Sequence, residues 1–295
     1  MLSLHFPLSS NTRKKSAGFA LFCLLMLYAV PSASETIIYP QAGEEFINHH
    51  VYPLKLLDLA LSKAGVDVQL VPSDTFMTQG RSLKELNKPG GIDVLWTMTS
   101  KERESDALAV PIPIYKGLIG WRIFLTGLKP RYNTSQPITL EDLKVLNLIQ
   151  GHDWPDTKVL LSNGFNVKTS ASFSGLFQML ALERADLFPR SVIEVWDELN
   201  GDLGAQLALE QHTIISYPAA SYFFTAHSNQ GLARLIQKGL EIAIRDGSFD
   251  ELFYQYFEGF IARARISERT HYRLDNPLLS PETPLENKSF WFYPE

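Results

Sequence analysis

Cysteine is almost missing from this chain: one residue in 295, Cys23, set in an apolar run between Phe22 and Leu24. It lacks the small neighbours that a lipidated cysteine takes, and with no second thiol no disulfide can form, so stability has to come from an apolar core. The motifs of several enzyme classes are missing as well. There is no G-x-S-x-G, no P-loop, no H-E-x-x-H and no dinucleotide-type glycine pattern. Basic residues are in deficit, with 27 Lys and Arg against 32 Asp and Glu and a formal charge of −5. That balance argues against a nucleic-acid backbone or an anionic membrane surface as partner, since both are held by fields of Lys and Arg. No apolar run reaches the roughly 20 residues a helix needs to cross a bilayer.

What is present reads as an ordinary globular protein, 45% hydrophobic and 20% charged, long enough for two modest domains. The opening differs from the rest. Arg13, Lys14 and Lys15 precede the apolar residues 17–30, which are followed by Pro31-Ser32-Ala33-Ser34, the order of a secretory signal peptide. The expectation is a signal over residues 1–34, cleaved near Ala33 or Ser34, because the run is too short for an anchor. Its loss removes three basic residues and no acids, taking the charge from −5 to −8.

Strand and helix signals then alternate. Residues 36–39 (TIIY) are a β-rich run, and Leu54, Leu57 and Leu61 recur at helical spacing before Gly65. Residues 66–71 alternate as a strand, 82–87 suit a short helix, and 91–98 are a third strand. A turn-rich stretch after Leu128 marks a boundary, beyond which Thr139 caps a short helix, 145–149 form a strand and Pro155 opens a helix. Residues 165–169 read as a strand and 174–185 as an amphipathic helix. Residues 213–217 and 221–225 are strands, and two helices follow at 232–245 and 249–260. Near-continuous apolar strands alternating with helices predict α/β layering with a mostly parallel sheet. The last residues, 271–295, hold too many prolines for a helix and too many large apolar groups for disorder; they predict an irregular strap anchored by Trp291 and Phe292.

Residues 91–125 carry the most information. A short buried strand ends at Thr99 and Ser100, Arg103 follows one turn on, and an aliphatic Pro-x-Pro segment leads into a second apolar run. This order resembles the ligand-binding segment of type II periplasmic solute-binding proteins, the extracytoplasmic binding-protein family 3 associated with amino-acid import. The resemblance covers about residues 35–260 in order of elements. It implies a two-lobed fold, each lobe a mixed, mostly parallel sheet flanked by helices. Lobe one would span 35–128, lobe two 129–217, and residues 218–295 would return to lobe one as helices and strap. It also implies that Arg103 clamps a substrate carboxylate, beside Thr99 and Ser100. A guanidinium fork fits a carboxylate bidentately, and Ser100 as N-cap would add free backbone N–H groups. The other reading places Arg103 on a solvated helix face among Lys101, Glu102 and Glu104.

In such a fold the ligand lies where strand ends meet helix starts. Candidate cleft segments are therefore 39–43, 97–103 and 115–121 in lobe one, and 151–154, 170–174 and 188–194 in lobe two. Tyr115 and Trp121 are candidates to stack on a ligand, unless they are core. Asp153 and Trp154, with His152, stand where the family implies small hydroxyl residues, and Ser174 follows in the next loop. Arg190 and Ser191 stand where the family implies an aspartate for the substrate's ammonium. With Arg103 opposite, that substitution predicts a preference for an acidic ligand, Glu194 being the nearby acid for an ammonium. Alternatively, Arg190 pairs with Glu183 or Glu194.

The function so implied is capture of a small polar or acidic ligand, of amino-acid or carboxylate type, in the periplasm. No cofactor, metal or catalytic residue is expected. The partners would be the ligand and an ABC transporter permease or membrane sensor, without nucleic acid and without stable membrane insertion after cleavage. Two alternatives stand beside it: a periplasmic dehydratase-like enzyme with Glu194 or His152 as acid, and a ligand-free interaction module if His152 and Trp154 plug the cleft.

Overall fold

In a computed structural model, residues 1–3, 5, 35–43 and 47–294 are described. The signal expected over residues 1–34 lies, but for residues 1–3 and 5, outside them, and Ser34–Glu295 forms one compact unit. Among the described residues no helix is long and apolar enough to cross a membrane.

The first sheet begins with β1 (Glu35–Gln41), α1 (Ile47–Ala64) and β2 (Val68–Phe76), with β1 and β2 parallel. A short helix α2 (Gln79–Glu85) leads to β3 (Val94–Met98), then α3 (Lys101–Asp106) and β4 (Leu108–Val110). Asp93 joins β1 to β3, donating its N–H to the Ile38 carbonyl at 2.8 Å and accepting the Ile38 N–H on its carboxylate at 2.7 Å.

The second sheet starts with β5 (Trp121–Gly127), α4 (Leu140–Val145), β6 (Asn147–Gly151), α5 (Pro155–Ser162) and β7 (Asn166–Ser170). It continues through α6 (Phe173–Ala181), β8 (Phe188–Ser191), α7 (Val195–Asn200), β9 (Leu207–Leu209) and β10 (Thr213–Ser216). β6 pairs parallel with β7, and the Ile149 N–H reaches the Leu187 carbonyl at 3.0 Å to link β6 to the β8 segment. The chain then returns: β11 (Ser221–Thr225) inserts antiparallel between β3 and β4, and α8 (Gln230–Asp246) and α9 (Ser248–Ala264) follow.

Local chemistry accounts for most boundaries. Ser100, Thr139, Ser172 and Asn229 each accept a backbone N–H as N-caps of α3, α4, α6 and α8. Pro155 occupies the first turn of α5, where its missing N–H costs nothing. α6 stops at Ala181, short of the expected 185, because Glu183 takes a left-handed conformation at φ 54°. Gly239 of α8 is required by close approach to α1: a Cβ there would lie 1.7 Å from the Ala60 carbonyl oxygen.

Two pairings differ from the division expected at 128/129 and 217/218. β5 hydrogen-bonds to β8, β9 and β10, so Trp121–Gly127 belongs to the second sheet. The start of the expected strap forms β12 (Thr270–Arg273), parallel to β10 in that same sheet. An apolar strand buried on both faces, as β5 is, carries no label saying which sheet it joins.

Beyond β12 the chain runs back toward the first sheet. Asn276 Nδ2 donates to the Pro218 carbonyl at 2.8 Å, and the Lys101 N–H reaches the Leu278 carbonyl at 2.9 Å. The Phe292 N–H reaches the Lys116 carbonyl at 2.7 Å, and Trp291 lies against Gly117. Gly117 stands at φ 77°, and a Cβ on it would come within 2.5 Å of the Trp291 ring.

Candidate functional site

The strand ends and helix starts of the two sheets face each other across a cavity of about 350 Å³, within the range of small-molecule sites. All six segments named as cleft candidates contribute lining residues: Pro40 to Gly43, Thr97 and Met98, Tyr115 and Ile119, Gly151 to Trp154, Ser170 to Phe173, and Arg190 with Glu194. Trp154 forms wall rather than plug. Its ring stacks 6.4 Å from Phe188 at 17°, and the cavity remains open beside it; His152 is half exposed at the edge.

The second-sheet wall carries a buried ionic network. Arg122, 2% exposed, ion-pairs with Asp156 and donates to Glu194 at 3.2 Å, while Tyr217 donates its hydroxyl to Asp156. Arg190, equally buried, donates through Nε to both Glu198 oxygens at 2.9 and 2.8 Å, and its Nη2 lies 3.3 Å from Glu194. Its guanidinium also faces the Trp154 ring at 4.9 Å and the Phe188 ring at 5.1 Å. The Ser191 N–H donates to Glu194 at 3.1 Å, and His49 Nε2 lies 3.7 Å from Glu198.

Burial opposes the charge on Glu194, but the Arg190 and Arg122 guanidinia outweigh it and hold the carboxyl down at about 2. Burial likewise opposes charge on Arg122 and Arg190, and the neighbouring carboxylates more than compensate, raising both. His50, packed edge-on against Trp96 at 4.8 Å, is pushed down to about 4 by burial and by His49, so it is neutral at pH 7.

The charges in this network do not favour an acidic ligand. Two guanidinia meet three carboxylates, Asp156, Glu194 and Glu198, which leaves one negative charge in excess while His49 is neutral. Arg190 has Glu198 as principal partner, eight residues along, where α7 brings it back beneath β8. A general-acid role for Glu194 also meets an obstacle: a carboxyl held at about 2 carries no proton to donate at neutral pH.

Arg103 is placed differently from a carboxylate clamp. Its Nη1 donates to Thr97 Oγ1 and to the Met98 carbonyl at 2.9 Å. Its Nη2 donates to Gln79 Oε1 at 3.2 Å and, across the cleft, to the Asp153 carbonyl at 3.1 Å. Asp153 answers with its carboxylate, which accepts the Gly80 N–H at 3.2 Å. Arg103 thus lies behind the cavity wall formed by Thr97, Met98 and Gln79 and fastens one side of the cleft to the other. Burial lowers it to about 10 against the pull of Asp153, so it stays protonated at neutral pH.

Of the other candidates, Asp153, Trp154, Tyr115, Arg190 and Glu194 line the cavity and four do not. Ser100 is spent as N-cap, Thr99 donates to Glu104, and Ser174 shares a hydrogen bond with Ser172. Trp121 stacks on His271, 4.8 Å away, because β10 alone separates β5 from β12. Sequence reasoning missed Arg122 and Asp156, both within elements rather than loops, and Trp96, Gln79 and His50. The one available signal was an arginine inside the apolar run of β5, since a buried cation requires acidic partners. Among the described residues no group of three or more His, Cys, Asp or Glu could hold a metal ion.

The two sheet-and-helix halves and the cavity at their seam define the type II periplasmic-binding-protein fold. Solved structures share it. An ancestral arginine-binding protein bound to arginine superposes with a TM-score of 0.55 at 19% identity, over 76% of this chain and 98% of that one. An arginine transport-system periplasmic binding protein from Legionella pneumophila gives 0.58 at 14%, over 76% and 99%. The periplasmic VFT2 domain of Bordetella pertussis BvgS gives 0.58 at 16%, over 76% and 93%. No protein-family model and no curated protein matches the chain.

Proposed function

We propose that this is a periplasmic solute-binding protein, exported by a cleaved signal peptide, that captures a small polar ligand of the amino-acid type in its interlobe cavity for transport or sensing. The observation that carries the reading is the pairing of Arg122 and Glu194 in one cavity wall. Among the described residues the Arg122 Nε–H is buried without an acceptor, and buried donors without partners call for one. Glu194 beside it is ionised at every physiological pH and suits an ammonium. A zwitterion meets both groups, whereas a dianion meets the excess negative charge of the network. His50 Nδ1, also buried without a partner in the described residues, adds a neutral polar contact. The folds it resembles include an arginine transport component and a histidine kinase sensor domain, so both transporter and sensor are reasonable recipients.

A thermal-shift screen of amino acids, dicarboxylates, aromatic acids and small oligosaccharides tests this. A ligand at about 100 times its Kd adds roughly 2.7 kcal/mol, a rise of several degrees in Tm. The expected hit is an amino acid or similar zwitterion whose shift is lost in Glu194→Gln. Silence across the panel, or response to dicarboxylates alone, would overturn it.

A further inference from the structure

A second chamber of about 320 Å³ adjoins the cleft, sharing His49, Tyr115, Ile119 and Glu194 with it. Its lining is aromatic: Tyr52 from α1, Tyr115, and Tyr256, Phe257 and Phe260 from α9. These rings form one continuous cluster. Tyr52 contacts Tyr115 at 5.5 Å, Tyr256 at 5.6 Å and Phe257 at 4.6 Å, and Phe257 contacts Phe260 at 6.4 Å. The Tyr52 hydroxyl is already spent on the Ile114 carbonyl at 2.7 Å, which leaves the chamber its ring rather than a polar handle.

The charges in this lining have one sign. Glu194 and Asp197 are present, neither Lys nor Arg is, and His49 is the remaining titratable group apart from the tyrosines. The Asp197 carboxylate, half-buried, has no hydrogen-bond or ion-pair partner among the described residues. Rings and the unpaired Asp197 carboxylate together attract a cation, because a ring face carries partial negative charge and holds a cation desolvated against it. Two of the chain's own cations already use rings of this neighbourhood: Arg263 lies 4.3 Å from the Trp196 ring centre and Lys116 lies 5.8 Å from that of Phe253.

We infer that this chamber is a binding subsite for a small organic ammonium compound, held by the α1 and α9 aromatics with Asp197 as counter-charge. The subsite goes beyond the amino-acid reading of the cleft, and Asp197, Tyr256 and Phe260 belong to it alone.

The test is calorimetric titration with choline chloride at constant ionic strength, beside the neutral alcohol in which carbon replaces choline's nitrogen. Choline is expected to bind saturably and at least tenfold tighter than its carbon counterpart, the ratio a desolvated cation–π site produces. Asp197→Asn weakens choline at least threefold and leaves the neutral alcohol unchanged, while Phe260→Ala weakens both. Equal binding of the two probes overturns the inference, as does choline binding weaker than ~10 mM or a choline affinity unaffected by Asp197→Asn. Asp197→Asn leaves the cleft intact, so the amino-acid response and the choline response fail separately.

Discussion

Replacing Arg190 by Met removes the cation from the centre of the buried network. Arg190 is 2% exposed, and both oxygens of Glu198 rest on its Nε at 2.8 and 2.9 Å. Without it Glu198 becomes a buried carboxylate whose nearest cation is His49, 3.7 Å away and charged only when protonated. Breaking a buried pair from one side costs about 3–5 kcal/mol, chiefly the unpaired charge left behind. Loss of the guanidinium from the Trp154 and Phe188 faces adds to it. Urea unfolding followed by circular dichroism at pH 7 should therefore show a loss of about 4 kcal/mol, and Tm should fall by roughly 10 °C for a chain this size. The double variant Arg190→Met with Glu198→Met should recover about half of that loss, because the stranded carboxylate is gone. A single-variant loss under ~1 kcal/mol, or a double-variant loss equal to the sum of the singles, would refute the assignment of this pair as buried and mutually compensating.

Acid should weaken the fold in two stages. His50 is held near 4 and Glu194 near 2, both below their ordinary values, so each contributes stability that is complete above its unfolded value and lost as pH falls toward its folded one. Urea midpoints should decline between about pH 6.5 and 4 through His50, and again below about 4.5 through Glu194. His50→Leu should flatten the first decline and Glu194→Gln the second; unchanged profiles would contradict the burial of these groups. Trp291→Ala removes the anchor that the strap sets against Gly117 and should cost roughly 2 kcal/mol, the lower side for a half-buried ring. Limited proteolysis should then cut within residues 274–294 first, and resistance equal to that of the parent chain would show that the strap is held elsewhere.

The chain's own pattern determined a good deal. Apolar runs alternating with amphipathic stretches specified the α/β layering, because strand and helix periods are local properties of a sequence. Cap residues such as Ser100, Thr139 and Gly247 set helix ends for the same reason. The six loop segments that line the cavity were also legible, since a layered fold gathers strand ends at one seam. Partners were not. That Arg190 answers to Glu198, that Arg122 lies between Asp156 and Glu194, and that Arg103 reaches across to the Asp153 carbonyl depend on which strands become neighbours. β5 and β12 joined the second sheet through hydrogen bonds to residues far away in sequence. Charge in the cleft is therefore a tertiary quantity: the sequence placed arginines near the seam, and only packing decided that carboxylates from α5 and α7 would neutralise them.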